Sequence, residues 1–284
     1  MRWLPDWLVY LVVTAAVLLA LFRVDQRATA PAWRDAEIAG AGALLPPPSV
    51  FDPELLVEVG PSAPGLGTAF AVNREGWWLT ARHVVDGCAK VGVQVSRGRA
   101  LPAEVLPARF ADLAFLRTEH VPSVLPMNLD EANLKLGQEA YHVGFPQGRP
   151  GEAASRLIGR ERLIARGRYS LEEPVLAWSE MGRTLGLNGS LAGMSGGPTL
   201  DGEGRVIGVT IAESPRRGRI YTASPATIMR WMEISRVESE EVTGAPLTAR
   251  NYGQRADAMR RTLTVRPVIC DTRASPPERA GGRG

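Results

Sequence analysis

Between residues 51 and 236 the chain never sustains an apolar pattern for long. Apolar runs of four to seven residues, at 55–59, 68–72, 91–95, 113–116, 141–145 and 206–211, are each broken by Gly, Pro, Asn or a charge. An amphipathic helix needs a pattern of about ten residues or more, so these runs read as short strands separated by turns. That spacing predicts an all-β sandwich or barrel rather than alternating strands and helices. One helix is expected, at 226–237, started by Ser224 and Pro225. The Pro-containing stretch 121–126 is placed to divide two β units, giving barrels at about 51–125 and 137–224 within a domain of 51–237. Residues 238–284 turn polar and Arg-rich, with one strand-like patch at 263–270, and read as a tail.

The amino terminus is different. Residues 7–22 (WLVYLVVTAAVLLALF) are sixteen residues without a charge, about 24 Å as a helix. Apolar residues cover every face, and Trp3 and Trp7 suit the headgroup level, so 1–23 reads as a transmembrane anchor. A cleaved secretory signal is the other reading, with Ala28-Thr29-Ala30 as its cleavage site. Arg23, Arg27 and Arg34 outnumber Arg2 across the segment, which by local count alone puts the large domain in the cytoplasm. Residues 24–50, rich in Ala and Pro, read as a semi-extended tether.

Composition excludes several classes. The 284 residues are 45% apolar and 22% charged, enough for a large core. The net charge of +3 is too slight to imply nucleic acid. His83, His120 and His142 are the only histidines, Cys88 and Cys270 the only cysteines. Neither set has metal-site spacing, so no metal and no cofactor is expected.

Three short segments carry chemistry. Gly193-Met194-Ser195-Gly196-Gly197 puts a serine in a turn whose backbone N–H groups can face a reacting oxygen. The same letters fit the nucleophile elbow of α/β-hydrolases, but that fold needs its histidine after the serine, and all three here precede Ser195. The order that remains is His–Asp–Ser. His83 follows the apolar 77–80, and Asp112 leads directly into the apolar 113–116. Asp86 reads as a local cap, Asp130 lies in a polar stretch, and His120 and His142 read as structural.

Thr80-Ala81-Arg82-His83-Val84-Val85, Asp112-Leu113-Ala114 and Gly193–Pro198 together resemble the trypsin-like serine peptidases, most closely the HtrA/Deg branch. Gly65–Phe70, Val143-Gly144-Phe145-Pro146 and Val206–Val209 resemble further strands of that branch. The resemblance covers about 51–237. It implies two six-stranded antiparallel β-barrels with the active site between them. Together with the apolar amino-terminal run, it implies a membrane-anchored serine endopeptidase acting on unfolded or extracytoplasmic proteins, as a single-pass inner-membrane protein with a periplasmic catalytic domain. An idle peptide-binding member, or a secreted protease freed by signal cleavage, are the alternatives. The residues after 237 are too few for the PDZ module common in that branch.

Carried over residue by residue, the resemblance makes Ser195 the nucleophile, His83 the base and Asp112 its orienting carboxylate. The N–H groups of Gly193 and Ser195 become the oxyanion hole. Gly189, near Ser190, becomes the floor of the primary specificity pocket, with Leu191 and Ala192 on its wall. Ile211, Ala212 and Glu213 would pair with substrate backbone. The pocket floor carries no charge, so cleavage after small or medium apolar residues is expected unless Glu213 reaches in. In digestive relatives the residue before the serine is an aspartate that pairs with a freed amino terminus. Here it is Met194, which cannot, so no activating cleavage is expected. In an oxidising compartment Cys88 and Cys270 can bridge, two free thiols being the other reading.

Overall fold

The computed structural model describes residues 42–273. The expected membrane segment, most of the tether and the last residues of the tail lie outside these. Among the described residues no helix is long and apolar enough to cross a membrane.

Two sheets of seven strands carry the described chain. The first contains β2 (Gly65–Asn73), β3 (Trp77–Thr80), β4 (Lys90–Ser96), β5 (Arg99–Pro102), β6 (Glu104–Pro107), β7 (Ala114–Arg117) and β14 (Val265–Asp271). The second contains β1 (Glu54–Val59), β8 (Glu139–Gly144), β9 (Gly151–Gly167), β10 (Leu171–Arg183), β11 (Pro198–Leu200), β12 (Val206–Ser214) and β13 (Arg219–Ala223). In the second sheet β8 bonds both β9 and β11, closing a six-stranded antiparallel ring with β1 added outside β9. The first runs β5-β4-β14-β2-β3-β7-β6, and Ala103 alone separates β5 from β6. Counting that bent strand once gives six strands here too.

Two of the expected boundaries are corrected. β1, placed by sequence in the first barrel, pairs in parallel with β9 of the second, Glu54 opposite Arg162 through Val59 opposite Gly167. The segment read as a tail supplies α3 (Tyr252–Arg261) and β14, which fits between β2 and β4. The cause is an open ladder on each side: β14 aligns Val265 with Phe70 and Val268 with Val93, satisfying both edges at once. Val265 and Val268 are fully buried there. A disulfide joins Cys270 of β14 to Cys88. The end of the tether also docks, Leu45 N–H donating to the Leu134 carbonyl at 2.8 Å, because Leu45 joins the buried cluster of Leu134 and Leu157.

The other α-helices among the described residues are α1 (Arg82–Val85) and α2 (Pro225–Ser235). α2 begins as expected, with the Ser224 hydroxyl accepting the Thr227 N–H and Pro225 in the first turn. One apolar cluster runs through both barrels, Phe70, Leu79 and Phe115 of the first with Val143, Val175 and Tyr221 of the second. This shared core presses the barrels together, and the three chemical segments converge at their junction.

Candidate active site

Strand register brings His83 and Asp112 together. β3 and β7 are antiparallel with Thr80 opposite Ala114, so the residues just past β3 meet those just before β7. Arg82 N–H accordingly donates to the Asp112 carbonyl at 3.2 Å. The Asp112 carboxylate then takes two bonds from one residue, His83 N–H to Oδ1 at 2.9 Å and the ring nitrogen Nδ1 to Oδ2 at 2.6 Å. Fixing Nδ1 this way leaves Nε2 as the ring's free nitrogen.

The second barrel completes the carboxylate's surroundings. Tyr169 donates its hydroxyl to Asp112 Oδ1 at 3.0 Å, and Glu173 Oε1 of β10 accepts the Asp112 N–H at 2.7 Å. Neither residue was singled out in the sequence. Glu173 had a faint signal: it lies in phase with the buried Leu171 and Val175, an acid on the apolar face of a strand. Tyr169 had none.

Burial works to raise the Asp112 carboxyl, but the charge and hydrogen bonds of His83, with the Tyr169 hydroxyl, hold it below the usual range. For His83, burial disfavours the imidazolium, yet the Asp112 charge and hydrogen bond outweigh it, and the net shift is upward despite nearby Arg168. Burial, then the charge of Asp112, pushes Glu173 up to about 8, partly offset by the Asp112 N–H that it accepts. That shift favours the protonated form of Glu173 near neutral pH, so the negative charge bonded to the His83 ring is that of Asp112.

Ser195 sits at the barrel junction. Its carbonyl accepts the Thr68 N–H at 2.8 Å, and the Thr68 hydroxyl donates to the Gly193 carbonyl at 2.7 Å. Thr68, on β2 of the first barrel, thus ties the serine turn across the junction, a role that its sequence context did not reveal. The glycines around it are required. Gly193 has φ +97°, and a Cβ there would lie 2.6 Å from the Phe145 carbonyl oxygen; at Gly196, φ +85°, it would lie 2.1 Å from that of Thr68. Met194 is fully buried. The N–H groups of Met194, Gly196 and Gly197 all have protein acceptors. Those of Gly193 and Ser195 have none among the described residues, nor does Ser195 Oγ bond His83. The His–Asp half of the arrangement is thus closed, and the serine half is not.

Of the residues expected to set specificity, Glu213 is brought against Ser190 and Leu191. Glu213 does reach in: its carboxylate accepts the Leu191 N–H at 2.8 Å and the Ser190 hydroxyl. A carboxylate therefore stands beside Ser190 and Leu191, already engaged by the protein. Gly189, φ +77°, has open space where a side chain would be. A cavity of about 240 Å³ lies beside His83, bordered by Val57, Val59, Tyr169, Ile211 and Ala212.

His142 is fully buried, with Nε2 2.7 Å from the Ser155 hydroxyl, and burial pushes it down to about 3. It is a neutral core histidine, and His120 is exposed. No cluster of potential metal ligands occurs among the described residues.

Known proteins resemble part of the chain. The profile of the trypsin-like peptidase domain matches residues 67–209. The putative serine protease HhoA of Synechocystis is 31% identical over 151 residues, 52% of this chain and 37% of that protein. A probable periplasmic serine endoprotease, DegP-like, of Halomonas elongata is 30% identical, over 54% of this chain and 30% of its own length. The periplasmic pH-dependent serine endoprotease DegQ of Escherichia coli is 28% identical, over 54% of this chain and 36% of its own. The chain thus spans about a third of each of these curated relatives. Its fold is similar to the active form of the Rv3671c protease of M. tuberculosis, with TM-score 0.50 and 20% identity over 64% of this chain and 76% of that one.

Proposed function

The chain belongs to the trypsin-like peptidase family, and on that premise we propose that it is a serine endopeptidase that cleaves unfolded or extracytoplasmic proteins. The observation that carries this reading is the His83–Asp112 pair at 2.6 Å, at the junction where the Gly193–Gly197 turn presents Ser195. Ser195 Oγ attacks the peptide carbonyl, and His83 Nε2 takes its proton and returns it to the leaving amine. Asp112 fixes the imidazole tautomer and stabilises the imidazolium, with Tyr169 and Glu173 fixing Asp112. The N–H groups of Gly193 and Ser195 receive the developing oxyanion. Apo geometry in such sites is often loose and tightens on substrate, which fits a serine not yet bonded to its base. The Glu213 carboxylate is engaged by Ser190 and Leu191, so small or medium apolar side chains remain the proposed occupants of the primary pocket.

Residues 7–22 anchor the protein in the inner membrane, and the catalytic domain works in the periplasm. The apolar run, the Cys88–Cys270 bridge and two relatives named periplasmic support this placement. A phosphatase fused after Pro48 is active if this is right and silent if the domain faces the cytoplasm.

A fluorophosphonate probe tests the enzyme directly, because it reports a competent nucleophile without a known substrate. Labelling of the intact protein at Ser195, located by peptide mapping, is the expected result. An unlabelled protein overturns the proposal.

The pH profile follows from His83. Only the neutral imidazole is a base, and its ionisation is raised above the ordinary 6.5, so kcat/KM should begin to fall while the pH is still above 6.5. Asp112→Asn removes the charge that raises it and should move this limb to lower pH. A limb that stays in place assigns the titration to another group.

A further inference from the structure

The turn that carries the oxyanion donors has Met194 where a carboxylate would be needed to pair with a buried amino terminus. What holds it is visible in its carbonyls, each of which from Asn188 to Gly193 is engaged. Gln147 Nε2 donates to Asn188 at 2.7 Å and to Ser190 at 2.9 Å, and the Gln147 backbone N–H donates to Ala192 at 2.6 Å. Arg183 takes the Gly189 carbonyl at 2.7 Å, Met194 N–H that of Leu191, and Thr68 that of Gly193. From the opposite wall Glu213 accepts the Leu191 N–H. With the Ala192 and Gly193 carbonyls both held, the peptide between them cannot turn its oxygen into the place of the oxyanion.

Gln147 is the centre of this set. Its backbone is left-handed, φ 53° and ψ 28°, a conformation that non-glycine residues keep only when their surroundings impose it. It is also solvent-exposed, so core packing does not account for the strain. The turn that carries it, Pro146–Gly148, is braced at both ends by the buried Arg260 of α3, whose Nη2 donates to the Gly144 carbonyl at 3.1 Å and to that of Gly151 at 2.8 Å.

We propose that Gln147 is a positioning residue that, with Arg183 and Glu213, holds the 188–193 loop so that the Gly193 and Ser195 N–H groups stay open to substrate without activating cleavage. This rests on the serine-peptidase reading for its catalytic consequence, and on the hydrogen bonds alone for the ordering.

The test uses the intact, uncleaved chain and two readouts, amide hydrogen exchange across 186–196 and the kcat and KM for an unfolded protein. Gln147→Met keeps the length and removes the amide. It should speed exchange of the loop at least about tenfold and lower kcat about ten- to a hundredfold, with KM within about threefold and the melting temperature unchanged. Gln147→Lys restores a donor and should recover most of both. Glu213→Ala should loosen the same loop from the other wall. Unchanged loop exchange in Gln147→Met overturns the clamp, whatever the activity. Loosened exchange with wild-type kcat overturns its catalytic role. A wild type without turnover whose loop still loosens in Gln147→Met sinks the peptidase reading and upholds the clamp.

Discussion

Ser195→Ala is expected to lower hydrolysis of casein by about a millionfold in kcat, to background, and to abolish fluorophosphonate labelling, with no change in melting temperature. The size follows from the nucleophile and base acting as a unit, since losing either costs about as much as losing both. Folding is spared because the bonds that hold the turn use the Ser195 carbonyl, not its hydroxyl. Asp112→Asn should cost about ten-thousandfold, because it leaves the geometry but offers the imidazole the wrong tautomer. An alanine variant that still cleaves would move the nucleophile elsewhere. The cut sites made by the wild type are expected after small or medium apolar residues, and cuts mainly after Arg or Lys would mean that the Glu213 carboxylate is available to substrate.

What could be read from the sequence is what neighbouring residues determine. Runs such as 113–116 gave strands, Ser224 and Pro225 gave the start of α2, and the order of His83, Asp112 and Ser195 limited the chemistry. What escaped depends on partners far along the chain. Nothing in 54–59 says that it pairs in parallel with β9, and nothing in 265–271 says that it enters a barrel begun two hundred residues earlier. Pro267 and Arg266 even interrupt its apolar pattern. The arginines of β9 read as a solvated face, yet Arg160 is buried, donating from Nε to the Pro46 carbonyl at 2.7 Å and pairing with Glu131. Its partners come from the tether and a loop, so spacing could not reveal them. Glu173 and Tyr169 escaped for the same reason: they act on Asp112 from the other barrel, and Gln147 acts on a loop forty residues away.

Removing the Cys88–Cys270 bridge is expected to cost about 2–5 kcal/mol of stability, and to lower the melting temperature by roughly 5–20 °C. The cysteines are 182 residues apart, so the bridge closes a long loop, from the end of α1 to β14, and constrains the unfolded chain strongly. The native state adds a second reason. β14 is a central strand of the first barrel, bonded to β2 on one side and β4 on the other, and it arrives last in the chain. Detaching it opens two ladders at once and uncovers Val265 and Val268. Cys88 follows α1, which carries His83, so loosening at this end should also disturb the His83–Asp112 pair. The Cys88→Ala/Cys270→Ala double variant should therefore melt earlier, exchange the amides of 265–271 faster and lose part of its activity. Reductant should reproduce the melting shift in the wild type and leave the double variant unmoved. Equal melting of the wild type with and without reductant, or alkylation of both cysteines without it, would mean that β14 is held by its ladders alone, and would withdraw the bridge as support for a periplasmic domain.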